Sequence, residues 1–145
     1  MTVIAWDGKT LAADKRSTYG GMICTVTKIQ KVNGLLVGGA GEASFIGAML
    51  EWIKGGRVTA EFPSAQASKD DWQTVLVIEL DGSTSLYERT PYPIRYEQPH
   101  IAIGSGREYA RAAMALGYDS VRAVETAMLL DTGCGNGIDT LTLGE

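Results

Sequence analysis

The chain has 145 residues, of which 45% are apolar and 21% charged, and its net charge is −4 at neutral pH. That size supports one domain, 1–145, with its own core, and the absence of a Lys/Arg stripe disfavours a nucleic-acid partner. Two cysteines (Cys24, Cys134) and one histidine (His100) provide no disulfide framework, zinc knuckle or Ser-His-Asp triad. No apolar run approaches a membrane span, and the first is too short and lacks the basic flank of a signal peptide, so the expected location is the cytoplasm.

Residues 2–6 and 10–14 read as a hairpin turning on Asp7-Gly8. Ser17 to Gly21 is turn-rich, and Met22 to Lys28 is β-branched and extended. Asn33-Gly34 signals a second hairpin, followed by a strand from Leu35 to Val37. Gly38, Gly39 and Gly41 lead into a helix whose Phe45, Met49, Trp52 and Ile53 recur at helical spacing, and Gly55-Gly56 ends it. Residues 57–71 are polar and irregular. Thr74 to Leu80 and Ser83 to Tyr87 flank Asp81-Gly82 as a third hairpin, and Pro91 and Pro93 precede a short strand, Ile101 to Ile103. Two helices follow, one with Tyr109, Ala112, Ala113 and Leu116 on a face, the other capped by Asp119 or Ser120 and carrying Val121, Val124, Met128 and Leu129. Thr140 to Leu143 closes the chain as a strand. Hairpins and grouped helices predict an α+β fold, helices layered on antiparallel sheets, rather than a doubly wound parallel one.

Thr2 is the residue that points to chemistry. If Met1 is removed, the chain opens on a threonine that carries a nucleophilic hydroxyl and a basic α-amine together. An unperturbed α-amine titrates near 7.7–8.0, and a neighbouring ammonium would favour its neutral form. Asp14 and Lys28, both at predicted strand ends, are candidates for that ammonium and the carboxylate holding it, although isolated surface charges read the same way. Gly38, just past a strand, could present its N–H to an oxyanion or simply turn the chain.

These residues sit in a longer pattern. Thr2, Ala13-Asp14-x-Arg16-x-Thr18, Lys28-Ile29-x-Lys31, Leu36-Val37-Gly38, Ile103-Gly104-Ser105-Gly106 and Asp131-x-x-Cys134-Gly135 occur in that order. Together they resemble the proteasome β-subunit and HslV branch of the N-terminal-nucleophile hydrolases. The resemblance implies a four-layer αββα sandwich and a threonine endopeptidase working inside an oligomeric ring on polypeptides, without a cofactor or metal. It implies Thr2 as nucleophile and base, Lys28 and Asp14 as its tuning pair, and the Gly38 N–H as oxyanion donor. Ser105 and Asp131 would hydrogen-bond around the amine, and Thr18 and Gly38 would pair with an extended substrate. Self-association into rings is the implied partnership. An HslU-like ATPase is a further one, against which the abbreviated region 55–72 counts. Cys134 stands where the family carries serine, a stronger hydrogen-bond donor. A catalytically silent ring or shell subunit, or an amidase acting on a small molecule, fits the same fold.

Other motifs are weaker. Gly39-x-Gly41-x-x-Ser44, with Glu61 about 20 residues on, imitates a dinucleotide fingerprint but lacks its third glycine. Ile103 to Gly106 lacks the Gly-Lys-Ser/Thr ending of a P-loop. The Asp131 to Asp139 loop could hold a cation through carbonyls or be a plain glycine-rich turn. Trp6, Trp52 and Trp72 read as core or subunit contacts, and Cys24 as a small buried hydrophobe.

Overall fold

The computed structural model describes residues 1–63 and 73–144; the polar stretch from Ser64 to Asp71 and Trp72 lie outside the described residues. The chain runs β1 (Ile4–Trp6), β2 (Thr10–Asp14), β3 (Arg16–Tyr19), β4 (Met22–Thr25), β5 (Ile29–Val32), β6 (Leu35–Ala40) and α1 (Ala43–Lys54). It continues with β7 (Thr74–Ile78), β8 (Thr84–Tyr87), β9 (Ile101–Ile103), α2 (Arg107–Ala115), α3 (Ser120–Leu130) and β10 (Ile138–Thr142). The strands form two four-stranded sheets, ordered β10-β2-β1-β9 and β5-β6-β7-β8, and a separate β3-β4 ribbon. Every strand pair among the described residues is antiparallel, and with its three helices the fold is α+β.

Strand alternation divides the apolar side chains between three cores. Ile4, Trp6 and Leu11 point one way and meet Ile29, Leu36 and Leu76 of the other four-stranded sheet. Val3, Ala5 and Ala12 point the other way, against Ala110 and Met114 of α2 and Ala123, Val124 and Ala127 of α3. On the far side of the second sheet, Val37, Val75 and Val77 pack against Phe45, Met49, Trp52 and Ile53 of α1.

The hairpins turn where small or polar residues allow positive φ. Gly8 sits at φ 98°, while Asp7 Oδ1 accepts from the N–H groups of Lys9 (2.9 Å) and Thr10 (2.8 Å). Its other oxygen accepts from Ser120 N at 2.8 Å, which ties the first turn to the start of α3. Asn33 and Gly34, at φ 52° and 81°, make the two-residue, doubly positive turn that suits a twisted hairpin. Asp119 caps α3 through Arg122 N at 2.9 Å.

Several expectations shift. Most of the turn-rich stretch is strand: Arg16–Tyr19 pairs with Met22–Thr25, and the reversal is confined to Gly20 and Gly21. The strand after Asn33-Gly34 runs to Ala40, and the closing strand is Ile138–Thr142. Lys28 does not end a strand; it is the residue immediately before β5. The helix faces shift in part. α2 buries Ala110, Ala113 and Met114 and leaves Tyr109 and Leu116 exposed. α3 buries Ala123, Val124 and Ala127, with Val121 and Met128 packed against the same core as expected, and exposes Leu129. These alanine-rich helices pack closely on the sheet through small residues beside Met114 and Val124, so not every large apolar side chain marks the buried face. Cys24 is only half-buried, on the exposed ribbon.

Candidate active site

Thr2 lies two residues ahead of β1 and is buried. Its neighbours come from four distant segments. Asp14, at the end of β2, is fully buried, and Lys28 Nζ donates to its Oδ1 at 2.8 Å. The same oxygen accepts from Val3 N at 3.0 Å, while Oδ2 accepts from Arg16 N at 3.2 Å and Gly135 N at 3.0 Å. A buried carboxylate is tolerated only when its acceptor sites are filled, and here four donors fill them. Lys28 Nζ also donates to the carbonyl of Met1 at 2.9 Å. The ammonium is therefore held at the peptide link that joins Met1 to Thr2.

On the other side of Thr2, Ser105 follows β9 in the loop that enters α2. Its Oγ accepts from Thr2 N at 3.2 Å and donates to Asp131 Oδ2 at 2.8 Å. Burial acts to raise the Asp131 pKa, but the Ser105 hydroxyl, the Gly133 N–H and the Cys134 thiol outweigh it and hold the carboxyl below its usual value. Cys134 Sγ lies 3.5 Å from the same Oδ2. Burial first, then the charges of Asp14 and Asp131, push the Cys134 thiol up to about 12. The thiol therefore stays protonated at neutral pH and serves only as a weak donor.

The register bears directly on the oxyanion donor. Two-residue hairpins close on a hydrogen-bonded pair, and residues then alternate along each strand between facing one neighbour and the other. In the β5–β6 hairpin that closing pair is Val32 and Leu35, and pairing continues to Ile29 and Gly38. Leu35, Val37 and Gly39 thus turn their N–H toward the β5 side, and Gly38 turns its N–H toward Leu76 of β7. A Cβ on Gly38 would strike Ile29 and Ile4 in the core between the sheets. Gly39, one step beyond the last β5 partner, directs its N–H to the side where Lys28 stands. Of the two glycines it is therefore Gly39, not Gly38, whose N–H faces the Lys28 side of the strand. Thr18 lies in β3, paired with Ile23 of β4.

A cavity of about 300 Å³ opens beside Thr2, lined among others by Lys28, Gly39, Ala43, Ile46, Gly47 and Leu50. A second, of about 290 Å³, touches Thr2 on its other flank, with Gly104, Ser105 and Arg107. Met1 lines both.

No family model matches the chain. Among characterised proteins it is 29% identical to proteasome subunit beta 1 of Thermococcus gammatolerans, with 97% of this chain and 86% of that protein covered. It is 27% identical to proteasome subunit beta 2 of Pyrococcus abyssi, with 99% and 84% covered. The chain is thus similar to proteasome β subunits over nearly its whole length. Among solved structures, Thiobacillus denitrificans BPH superposes with a TM-score of 0.70 over 99% of this chain and 98% of that one, at 18% identity, and thereby shares the fold.

The surroundings of Thr2 include residues that the sequence motifs contain but to which sequence reasoning gave no role, and one, Asn136, that it passed over. Gly104, at φ 94°, lets the loop reach Thr2 so closely that a Cβ would lie 2.1 Å from the Thr2 carbonyl oxygen. Gly106 N donates to that carbonyl at 3.0 Å. Arg16 Nε donates to Asn136 Oδ1 at 3.1 Å, its Nη1 to the Thr132 carbonyl at 2.8 Å, and Asn136 Nδ2 donates to the carbonyl of Cys24 at 3.1 Å. This bridge holds the β3–β4 ribbon against the loop that carries Asp131. The doublet Gly104-x-Gly106 was a visible signal, while the Arg16–Asn136 link had none.

The look-alike motifs resolve simply. β6 pairs antiparallel on both sides, so Gly39 and Gly41 belong to no βαβ unit, and Glu61 is exposed on a 3-10 turn. In the 131–139 loop, Asp131 accepts from Ser105 and Asp139 pairs with Lys15 at 2.6 Å. Among the described residues no group of three or more His, Cys, Asp or Glu is placed to hold a metal. Trp6 and Trp52 are core residues. No helix among the described residues is long and apolar enough to cross a membrane.

Proposed function

We propose that this chain is a threonine-type peptidase that hydrolyses peptide bonds through an acyl-enzyme on Thr2. The observation that carries the reading is the convergence on Thr2 of a buried ammonium–carboxylate pair from one side and the Ser105–Asp131 pair from the other. Breaking the Met1–Thr2 bond converts the Thr2 amide into an amine. That amine takes the proton of Thr2 Oγ, directly or through one water, as Oγ attacks the substrate carbonyl. The Lys28 ammonium raises the cost of protonating the amine, which keeps a neutral fraction available. Negative charge developing on the carbonyl oxygen is met by the Gly39 N–H. The amine returns its proton to the leaving nitrogen, the C–N bond breaks and an ester on Thr2 remains. Water then hydrolyses the ester, and Thr2 recovers its hydroxyl.

The sequence of cores (α1 on one sheet, that sheet on the next, that on α2 and α3) supports a four-layer αββα sandwich built as one domain. Ring assembly in the cytoplasm suits the reading, because an unselective peptidase needs a chamber between it and folded proteins.

Intact mass before and after a peptide epoxyketone tests the proposal. Protein lacking Met1 that gains one adduct, lost in Thr2→Ala, supports it. Protein lacking Met1 that gains none is the silent subunit. Retained Met1 with no adduct also refutes the reading for the chain as produced.

A further inference from the structure

The core between the two four-stranded sheets reaches solvent on one flank. β8 and β9 are the last strands of their sheets, and between them opens a cavity of about 220 Å³. Its inner wall is buried and apolar, made by Leu86, Ile101 and Ile103 of the inter-sheet core. Its mouth carries exposed charges, Glu88 just after β8 and Arg107 and Arg111 from the first two turns of α2. The two arginines are four residues apart and so share a helix face. Arg107 aside, the described residues lining this cavity line neither of the cavities beside Thr2.

Thr74 is the informative member of the wall. At the start of β7 it has the parity of Leu76 and Ile78, whose side chains enter the core between the sheets. It is 1% exposed, and its Oγ1 has no hydrogen-bond partner among the described residues. Burying a hydroxyl without a partner is costly. Valine has nearly the same shape, suits a strand as well and would avoid that cost in an apolar wall. The hydroxyl lines the cavity, so a partner for it can be delivered from there.

The mouth has free capacity too. Arg111 and Glu88 make no hydrogen bond or ion pair among the described residues, with each other or with a third group. Two guanidiniums against one carboxylate leave the mouth net positive.

We propose that this cavity binds a small organic acid, with its carboxylate at Arg111, its apolar body against Leu86, Ile101 and Ile103, and a hydrogen-bonding group at its far end on the Thr74 hydroxyl. Hydroxylated aromatic or aliphatic acids have that chemistry. The volume falls below the ~300–1,000 Å³ of drug-sized sites, which limits the occupant to one ring or a short chain. The site is independent of the chemistry proposed for Thr2.

Ligand-observed NMR titrations of the full chain test this with three probes: para-hydroxyphenylacetate, phenylacetate and tyramine. The hydroxylated acid should bind most tightly. Phenylacetate, which lacks one hydrogen bond, should bind at least about threefold more weakly, and tyramine, with an ammonium in place of the carboxylate, at least about tenfold more weakly. Thr74→Val should abolish the preference for the hydroxylated acid and leave the thermal midpoint of the free protein unchanged or higher. Arg111→Gln, at an exposed position, should weaken both acids about tenfold. Absence of binding by the acids, tyramine binding as tightly as they do, a preference that survives Thr74→Val, or an Arg111→Gln protein that binds like the parent overturns the proposal. A Thr74→Val protein that melts below the parent also overturns it, because the hydroxyl then has its partner within the fold.

Discussion

Lys28 Nζ stands 2.8 Å from Asp14 Oδ1 with the two side chains 7% and 0% exposed. A pair so withdrawn from water is costly to assemble, and its partners are correspondingly dependent on each other. Asp14 has three backbone N–H donors besides the ammonium, whereas the ammonium has Asp14 and the Met1 carbonyl. The carboxylate is thus the more firmly tied member of the pair, and on the peptidase reading the ammonium is the functional one.

Substitution should separate these roles. Asp14→Ala leaves three amides and a buried ammonium without their acceptor, and should cost about 3–5 kcal/mol of stability in urea unfolding. Lys28→Met leaves the carboxylate its three N–H donors and should cost clearly less. On the peptidase reading it should nevertheless lower peptide hydrolysis by about 10²–10⁴.

On the peptidase reading, the pH profile of hydrolysis should rise as the Thr2 amine loses its proton, because that reading makes the neutral amine the base. Lys28 opposes a second positive charge nearby and so favours the neutral amine. Lys28→Met should move the residual activity's inflection upward, as measured on single-turnover rates.

Gly104→Ala should be among the most damaging small substitutions. It places a Cβ 2.1 Å from the Thr2 carbonyl oxygen at a backbone φ of 94°, and relief requires moving either the loop or Thr2. Urea unfolding should show a loss above the ~1–3 kcal/mol of a strained backbone position alone. Gly106→Ala, whose nearest contacts are side-chain atoms at 3.0 Å, should cost less.

Glu79 gives the fold an acid-sensitive joint. Burial acts to raise its pKa, but hydrogen bonds from Arg57 and Ser85 outweigh that and hold it below the ordinary 4.5. A depressed folded pKa stabilises above the unfolded value, and that contribution is lost as pH falls through the folded one. Thermal midpoints of the parent and Glu79→Gln should therefore differ by a constant amount above pH 5 or so and converge below 4.5.

The cysteines should react in order. Cys134 is buried, with its thiol pushed up to about 12, and Cys24 is half-buried on the ribbon. Iodoacetamide at pH 8 should modify Cys24 first, with Cys134 reacting only on unfolding, as read by peptide mass mapping.

Local chemistry was legible in the residues themselves. Asp7-Gly8, Asn33-Gly34 and Asp81-Gly82 announce their turns because few residues adopt those dihedrals, and β-branched runs between them announce strands. The spacing of Phe45, Met49, Trp52 and Ile53 predicts the buried face of α1 correctly because those side chains are large enough to fill the space above a sheet. The same logic misreads most of the α2 face, where Tyr109 and Leu116 are exposed and alanines pack, and in α3 it misplaces only Leu129. Thr2, Asp14 and Lys28 could be named in advance by residue type, Ser105 and Asp131 only through the resemblance their motifs carry, and the five do meet.

Which backbone N–H faces them could not. Gly38 and Gly39 are adjacent, alike and equally small, and only the parity of the β5–β6 ladder turns one toward β7 and the other toward the side where Lys28 stands. Nor does any local pattern bring Ser105 across 103 residues to Thr2, or pair Arg16 with Asn136. Identity and spacing along the chain decide turns, strands and which side chains can do chemistry. Register and packing between distant segments decide which of those groups share a site, because hydrogen-bond alternation and core volume are satisfied only in the assembled sheets.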